Sequence, residues 1–174
     1  MWFRCLTVVR CWGTKPALRL SGYLWVASMF GALAALEANR IGVFLVPPFA
    51  ATLTILTLLP DAPVAQPYAV IGGSVCAAAI GTGFSLLGSS LVMAVLAMIV
   101  AFVVISSIHA YHPPGVALAS IPVLLHTGRW FPLAVVLPFT AAAVLSAAAM
   151  SKWLSSWPEY PKSLGKCARL SKDV

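Results

Sequence analysis

The sequence predicts an all-α integral membrane protein made of two repeats of three segments each, with one segment in each repeat broken by a proline pair. Three observations carry this. Of the 174 residues, 61% are hydrophobic and 9% charged, and the mean hydropathy is +0.97, a composition of membrane proteins rather than soluble domains. Pro47-Pro48 and Pro113-Pro114 each interrupt an apolar run. The two interruptions stand 66 residues apart, and an ungapped overlay of Pro47–Leu59 on Pro113–Leu125 matches six of thirteen positions.

The same offset lays the apolar run from Gly22 over that from Gly88, and Tyr68–Leu87 over Ala134–Trp153. Interrupted segments at corresponding places in two halves point to a transport site. The domain plan is a basic segment over 1–20, a transmembrane domain over 21–150 with repeats of about 21–87 and 88–150, and a basic tail over 151–174.

Ser21–Asn39 is the first span, with Glu37 and Arg40 placed to pair at its far end. Ile41–Leu59 is the first broken span. Extended over 41–46 it reaches roughly 20 Å, and helical over 49–59 it adds roughly 16 Å. Together these can cross a hydrocarbon core of about 30 Å, or dip in and return. Residues 60–67, with three prolines, Asp61 and Gln66, form a loop in which Gln66 reads as a cap. Tyr68–Leu87 is the next span, and its Gly72, Gly73, Gly81 and Gly83 allow close helix approach. Gly88-Ser89-Ser90 is a tight turn, and Leu91–Ile108 the most apolar span.

The second broken span runs to Leu125. Two successive prolines exclude a regular helix before them, and a residue before proline is pushed toward extended backbone. His112 is therefore expected extended, with a helix from about Pro114 through Gly115 to Leu125. Phe131–Met150 is the last span and Pro138 its kink. Trp130, Trp153 and Trp157 suit an interfacial belt, Arg129 a surface anchor, and the tail after Ser151 reads as partly disordered.

Both ends are basic: Arg4, Arg10, Lys15 and Arg19 before the first span, and Lys152, Lys162, Lys166, Arg169 and Lys172 after the last. The positive-inside rule puts both in the cytoplasm, so the crossings are even in number. Six crossings make the halves inverted, and four make them parallel. The inverted form is preferred, because it points the two half-helix N-termini at one shared site. Cys5, Cys11, Cys76 and Cys167 form no close pair, so neither a disulfide framework nor a metal site is expected.

A helix that begins inside a bilayer leaves orphan N–H groups and a positive dipole end that hydrocarbon cannot satisfy. The expected substrate site is therefore Pro48, Phe49, Ala50, Ala51 and Thr52 from one half, with His109, His112, Pro113, Pro114, Gly115, Val116 and Ala117 from the other. Thr52 and the amides of Ala50, Ala51, Val116 and Ala117 are the expected anion donors. His112 can bond an anion, carry a proton, or fix the turn through backbone carbonyls. Gly115 lets the backbone come close, so Gly115→Val is expected to block substrate more than it unfolds the bundle.

His112-Pro113-Pro114-Gly115, after a long apolar run, resembles the signature of the HPP family of small membrane proteins. The likeness extends to Pro48-Phe49-Ala50-Ala51, to residues 60–67 and to Val70-Ile71-Gly72-Gly73. The resemblance implies a compact transmembrane domain, usually described with four helices, and nitrite transport as in cyanobacterial and chloroplast members. The family often has Gly-Ala-Ser where this chain has Ala50-Ala51-Thr52, and His where it has Ser74.

The expected function is a transporter or channel for a small inorganic anion, nitrite first, and not an enzyme. The competing reading is a structural or regulatory membrane subunit. Expected partners are the anion, the lipid bilayer and a second copy of the chain, with no cofactor and no nucleic acid. The expected location is a bacterial inner membrane or a chloroplast envelope.

Overall fold

The computed structural model describes residues 20–38, 47–155 and 157–162. Arg40, the stretch 41–46, the basic residues before Leu20 and those after Lys162 lie outside the described residues. Among the described residues the chain is helical, with no strand. The order is α1 (Leu20–Ala38), α2 (Pro47–Leu58), a 3-10 turn (Pro63–Ala65), a π-helical turn (Tyr68–Gly73) running into α3 (Ser74–Ser85), and α4 (Leu91–Ser107). Then follow α5 (Pro113–Leu118), α6 (Ile121–Leu125), and a second π-helical turn (Pro132–Val136) running into α7 (Leu137–Trp153).

Three helical runs are long and apolar enough to cross a membrane: Leu20–Ala38, Tyr68–Ser85 and Pro132–Trp153. Pro47–Leu58, Leu91–Ser107 and Pro113–Leu125 are shorter apolar helices. Helix α4 packs in the sense of a protein in lipid, with small residues inside and large ones outside. Ala94, Ala97 and Ala101 of α4 are buried with Ala77 of α3. Leu91, Val92, Ile99, Phe102 and Val103 of the same helix are exposed. Without a hydrophobic drive between helices, close backbone approach supplies the packing, and alanine and glycine allow it.

Helix α3 shows this most clearly. A Cβ on Gly73 would stand 2.1 Å from the Ala110 carbonyl oxygen, and one on Gly81 2.1 Å from that of Ala119. The backbone of 110–119 therefore lies directly on α3. Gly83 has nothing within 4 Å and Gly72 only the Tyr68 ring at 3.8 Å. Of the four glycines singled out by sequence, two make the contact.

The second broken span does not run as one helix from Gly115 to Leu125. It stops at Leu118 and restarts at Ile121. Pro122 is the cause, since it brings no N–H for the Leu118 carbonyl and crowds it. In the last span Pro138 likewise has no N–H to offer Ala134, and the preceding turn is π-helical, with the Leu137 N–H reaching back to the Pro132 oxygen. The kink expected at Pro138 is this widened turn.

The start of the tail belongs to the folded unit. Residues 157–162 are packed, with Trp157 and Tyr160 buried, so the folded unit extends past residue 150. Two aromatic side chains give this short segment enough apolar surface to stay down. Trp157 meets Trp25 edge-on at 5.7 Å between ring centroids, and the Trp25 Nε1 donates to Ser146 Oγ at 3.1 Å. Tyr160 donates to the Ala65 carbonyl at 2.9 Å. Lys162 pairs with Asp61 at 2.9 Å, and its amide donates to Gln66 Oε1 at 3.1 Å. The Gln66 Nε2 donates to the carbonyls of Pro60 and Ala62, the loop cap expected of it. Trp130 and Trp153 remain exposed.

Candidate functional site

The junction of the two Pro-Pro helices holds a polar cluster inside an apolar bundle. His112 is extended, with φ −131° and ψ 108°, and α5 begins at the next residue. Its side chain is fully buried. Nδ1 lies 2.7 Å from the Val64 carbonyl oxygen, and Nε2 lies 3.0 Å from Thr52 Oγ1. A carbonyl only accepts, so Nδ1 carries hydrogen and the neutral ring presents its Nε2 lone pair to Thr52. Thr52 is also fully buried, and its Oγ1 stands 3.1 Å from the Pro48 carbonyl as well. Three separate parts of the chain thus converge on one imidazole: α2, the 3-10 turn and the start of α5.

Ser74 packs against the start of α5. It opens α3 on the face that carries Gly73, and a Cβ on Gly115 would stand 3.2 Å from its Cα. Ser74 Oγ, like Thr127 Oγ1 and Trp157 Nε1, is buried with no hydrogen-bond partner among the described residues. A buried hydroxyl left unmet costs about 1–3 kcal/mol. Its backbone N–H is shared between the Ile71 and Val70 carbonyls, at the end of the π-helical turn.

Other expected site residues fall as follows. Pro48, Phe49, Pro114 and Gly115 are buried, Ala50, Val116 and Ala117 half-buried, and Ala51 and Pro113 exposed. Phe49 stacks on Phe139 at 4.0 Å between centroids. His109 is exposed and outside the cluster. It has φ +57° and occupies the left-handed position that ends α4. Its N–H bonds the Ser106 carbonyl, and the next N–H, of Ala110, bonds that of Ile105, the paired bonds of a Schellman cap.

The amides are not the free donors that sequence predicted. Ala50, Ala51, Val116 and Ala117 stand at the fourth or fifth position of their helices, where an N–H has a carbonyl four residues back. The open positions are the earlier ones, and in both helices two of these are prolines without N–H. The Gly115 amide donates to the His112 carbonyl at 2.9 Å. A Pro-Pro start is therefore a helix beginning that leaves few donors unmet in an apolar place. Gly115 also faces backbone rather than open space, with the Gly73 carbonyl carbon and oxygen each 3.3 Å from its ideal Cβ. A valine there would push α5 off α3, so Gly115→Val is a packing substitution and not a selective block.

Sequence reasoning missed Val64, Tyr160 and Phe139. Val64 acts through its carbonyl, which no side chain announces.

A family model described as HPP, transmembrane region, matches residues 14–161. The chain belongs to that family. The match takes in every described element from α1 to the packed segment at Tyr160. It also agrees with the inside-out packing of α4 in identifying an integral membrane protein. No curated protein and no solved structure matches the chain. In this HPP domain the motif's histidine is the residue at which α2, α5 and the 60–67 loop are joined.

Proposed function

We propose that this HPP-family protein transports a small inorganic anion, with nitrite as the first candidate, through the junction of its two Pro-Pro helices. The observations that carry the reading are a fully buried Thr52–His112 pair in an apolar bundle and the unmet hydroxyl of Ser74, whose backbone packs against Gly115 three residues after His112. Polar and ionisable groups buried inside an apolar membrane bundle are expensive and mark pathways. Hydroxyls suit a small anion, since they can replace part of its hydration and still release it.

An inverted-repeat reading fits the pathway. Both halves run helix, Pro-Pro helix, then a π-helical turn leading into a helix. The 66-residue offset maps Phe49 to Gly115 and Gly73 to Phe139. It thereby maps the Phe49–Phe139 stack onto the Gly115–Gly73 contact, as exchange of two halves about a two-fold would.

Parity supports six crossings. Asp61 and Lys162 touch, so they share one side of the bilayer. Between them run Tyr68–Ser85, Leu91–Ser107, Pro113–Leu125 and Pro132–Trp153. If Pro113–Leu125 turned back, three crossings would part the pair; if it crosses, four keep them together. The Trp25–Trp157 contact supports the start of α1 at the same end, with α2 as the return crossing. With the basic ends, this end is the cytoplasmic or stromal one, in a bacterial inner membrane or a chloroplast envelope.

Flux into proteoliposomes tests the reading. Nitrite, nitrate, chloride and formate are compared with sodium and potassium, against protein-free vesicles. The expected result is selective anion flux. Cation selectivity contradicts it, and no flux of any ion returns the protein to a structural or regulatory role.

A further inference from the structure

The geometry points to His112 as a proton-loading site that couples anion movement to a proton, with the Thr52 hydroxyl as the swivel between its two states. This rests on the anion-transport reading and adds to it the driving ion.

A buried histidine held by fixed partners on both nitrogens usually has one satisfied state. His112 has two. Nδ1 stays bonded to the Val64 carbonyl in either case, at 2.7 Å. In the neutral ring, Thr52 Oγ1–H donates to the Nε2 lone pair across 3.0 Å. When a proton binds that lone pair, Nε2–H becomes the donor and Thr52 Oγ1 the acceptor. The hydroxyl hydrogen then turns to the Pro48 carbonyl, 3.1 Å away and already within reach. One rotation about the Thr52 Cβ–Oγ1 bond satisfies every group in both states, with no heavy atom displaced. Pro48 can serve because it sits four residues before Thr52 on α2, in the back-bonding geometry of helical threonine.

The anion makes the second state necessary. The Pro-Pro starts leave few free amides at either helix, so the helix ends alone give an anion little to bond. Among the described residues, the ionisable side chains on the elements around His112 are Asp61 on the loop, Tyr68 and Cys76 on the α3 run, His109 at the end of α4, Tyr111 next to His112, and Tyr160 and Lys162 on the segment packed against the loop. Asp61 is paired with Lys162, Tyr68 donates to the Ile108 carbonyl, and His109 is exposed. None of these supplies a positive charge at the junction. A proton on His112 does, and an anion arriving with it makes a neutral pair, the least costly form in which charge enters a dry site. The proton adds to the Nε2 lone pair on loading and leaves it on release, so one proton moves per anion.

The test uses the full chain in proteoliposomes with an internal pH dye. Nitrate is the probe, because nitrous acid crosses lipid unaided, and the membrane potential is clamped. Nitrate uptake should accelerate with an inward proton gradient, and the interior should acidify in step with uptake. Thr52→Val should lower coupled uptake about tenfold or more, the effect of one unmet hydrogen bond to a charged group, and Thr52→Ser should restore it. His112→Gln, which keeps a donor but takes no proton, should abolish the acidification. Melting in detergent identifies any variant that fails to fold, and the wild-type dye signal decides independently of variants. Nitrate uptake without proton movement overturns the coupling and leaves anion transport standing. Uptake of no anion at all overturns both.

Discussion

Tyr160 donates its phenol hydrogen to the Ala65 carbonyl, 95 positions earlier in the chain, at 2.9 Å. The neighbouring carbonyl, of Val64, is the acceptor that holds His112 Nδ1. One 3-10 turn, Pro63–Ala65, thus ties the end of the folded chain to the histidine at its centre. Tyr160→Phe keeps the ring and loses the bond, and should cost about 1 kcal/mol, read as a lower melting temperature in detergent. Burial pushes the Tyr160 phenol well above its ordinary range. The stability held by the protonated phenol is then complete below the ordinary tyrosine range and is lost as pH rises through the folded value. Tyrosinate absorbance should show one late-titrating tyrosine in the wild type that is missing from Tyr160→Phe; identical titrations would remove the bond from the account.

The Asp61–Lys162 contact predicts sidedness. In a background without the four native cysteines, Asp61→Cys and Lys162→Cys should react with an impermeant reagent from the same side, and Ser89→Cys from the opposite one. The lost ion pair lies at the surface, with Asp61 exposed and Lys162 half-buried, and is worth little. Labelling of Asp61→Cys and Lys162→Cys from opposite sides would favour the four-crossing, parallel arrangement.

Two glycines of α3, two residues apart, should behave oppositely. Gly81→Ala forces a methyl against the Ala119 carbonyl, and overpacking of this kind costs about 1–3 kcal/mol or more. Gly83→Ala meets nothing within 4 Å and should be neutral or gain up to about 1 kcal/mol from helix propensity. Melting curves of the two variants decide; equal effects would mean that 110–119 does not lie on α3.

Ser74→Ala separates a structural serine from a functional one. Removing a buried hydroxyl that meets no partner should leave stability unchanged or raise it by about 1–3 kcal/mol. Anion flux should fall at the same time. A serine kept for packing would show lost stability and unchanged flux.

Much of this was legible from sequence because the strong signals are backbone chemistry. Prolines announced where α2 and α5 begin, since they set φ and remove N–H groups whatever the tertiary context. The extended backbone at His112 follows from Pro113 alone. The break at Leu118 was equally available in Pro122, but a strongly apolar run hid it. The assignment of amide donors failed for a related reason. Pro-Pro was read as opening an anion site, when the same missing N–H groups make the helix start nearly self-sufficient. Val64 and Tyr160 were beyond reach, because one contributes only a carbonyl and the other a contact across 95 residues. Ser74 stood out only as a departure from the family pattern, with no sign in the sequence that its hydroxyl would be buried and unmet.

The central claim is that an anion is held where α2, α3 and α5 meet. The most direct measurement is a crystal structure of the protein soaked in bromide, which anomalous scattering locates without ambiguity. The account predicts a bromide within hydrogen-bond reach of Ser74 Oγ and beside Thr52 and His112, weakened in Ser74→Ala. Bromide found only on the exposed basic residues, with the Ser74 hydroxyl left without an anion, would contradict it.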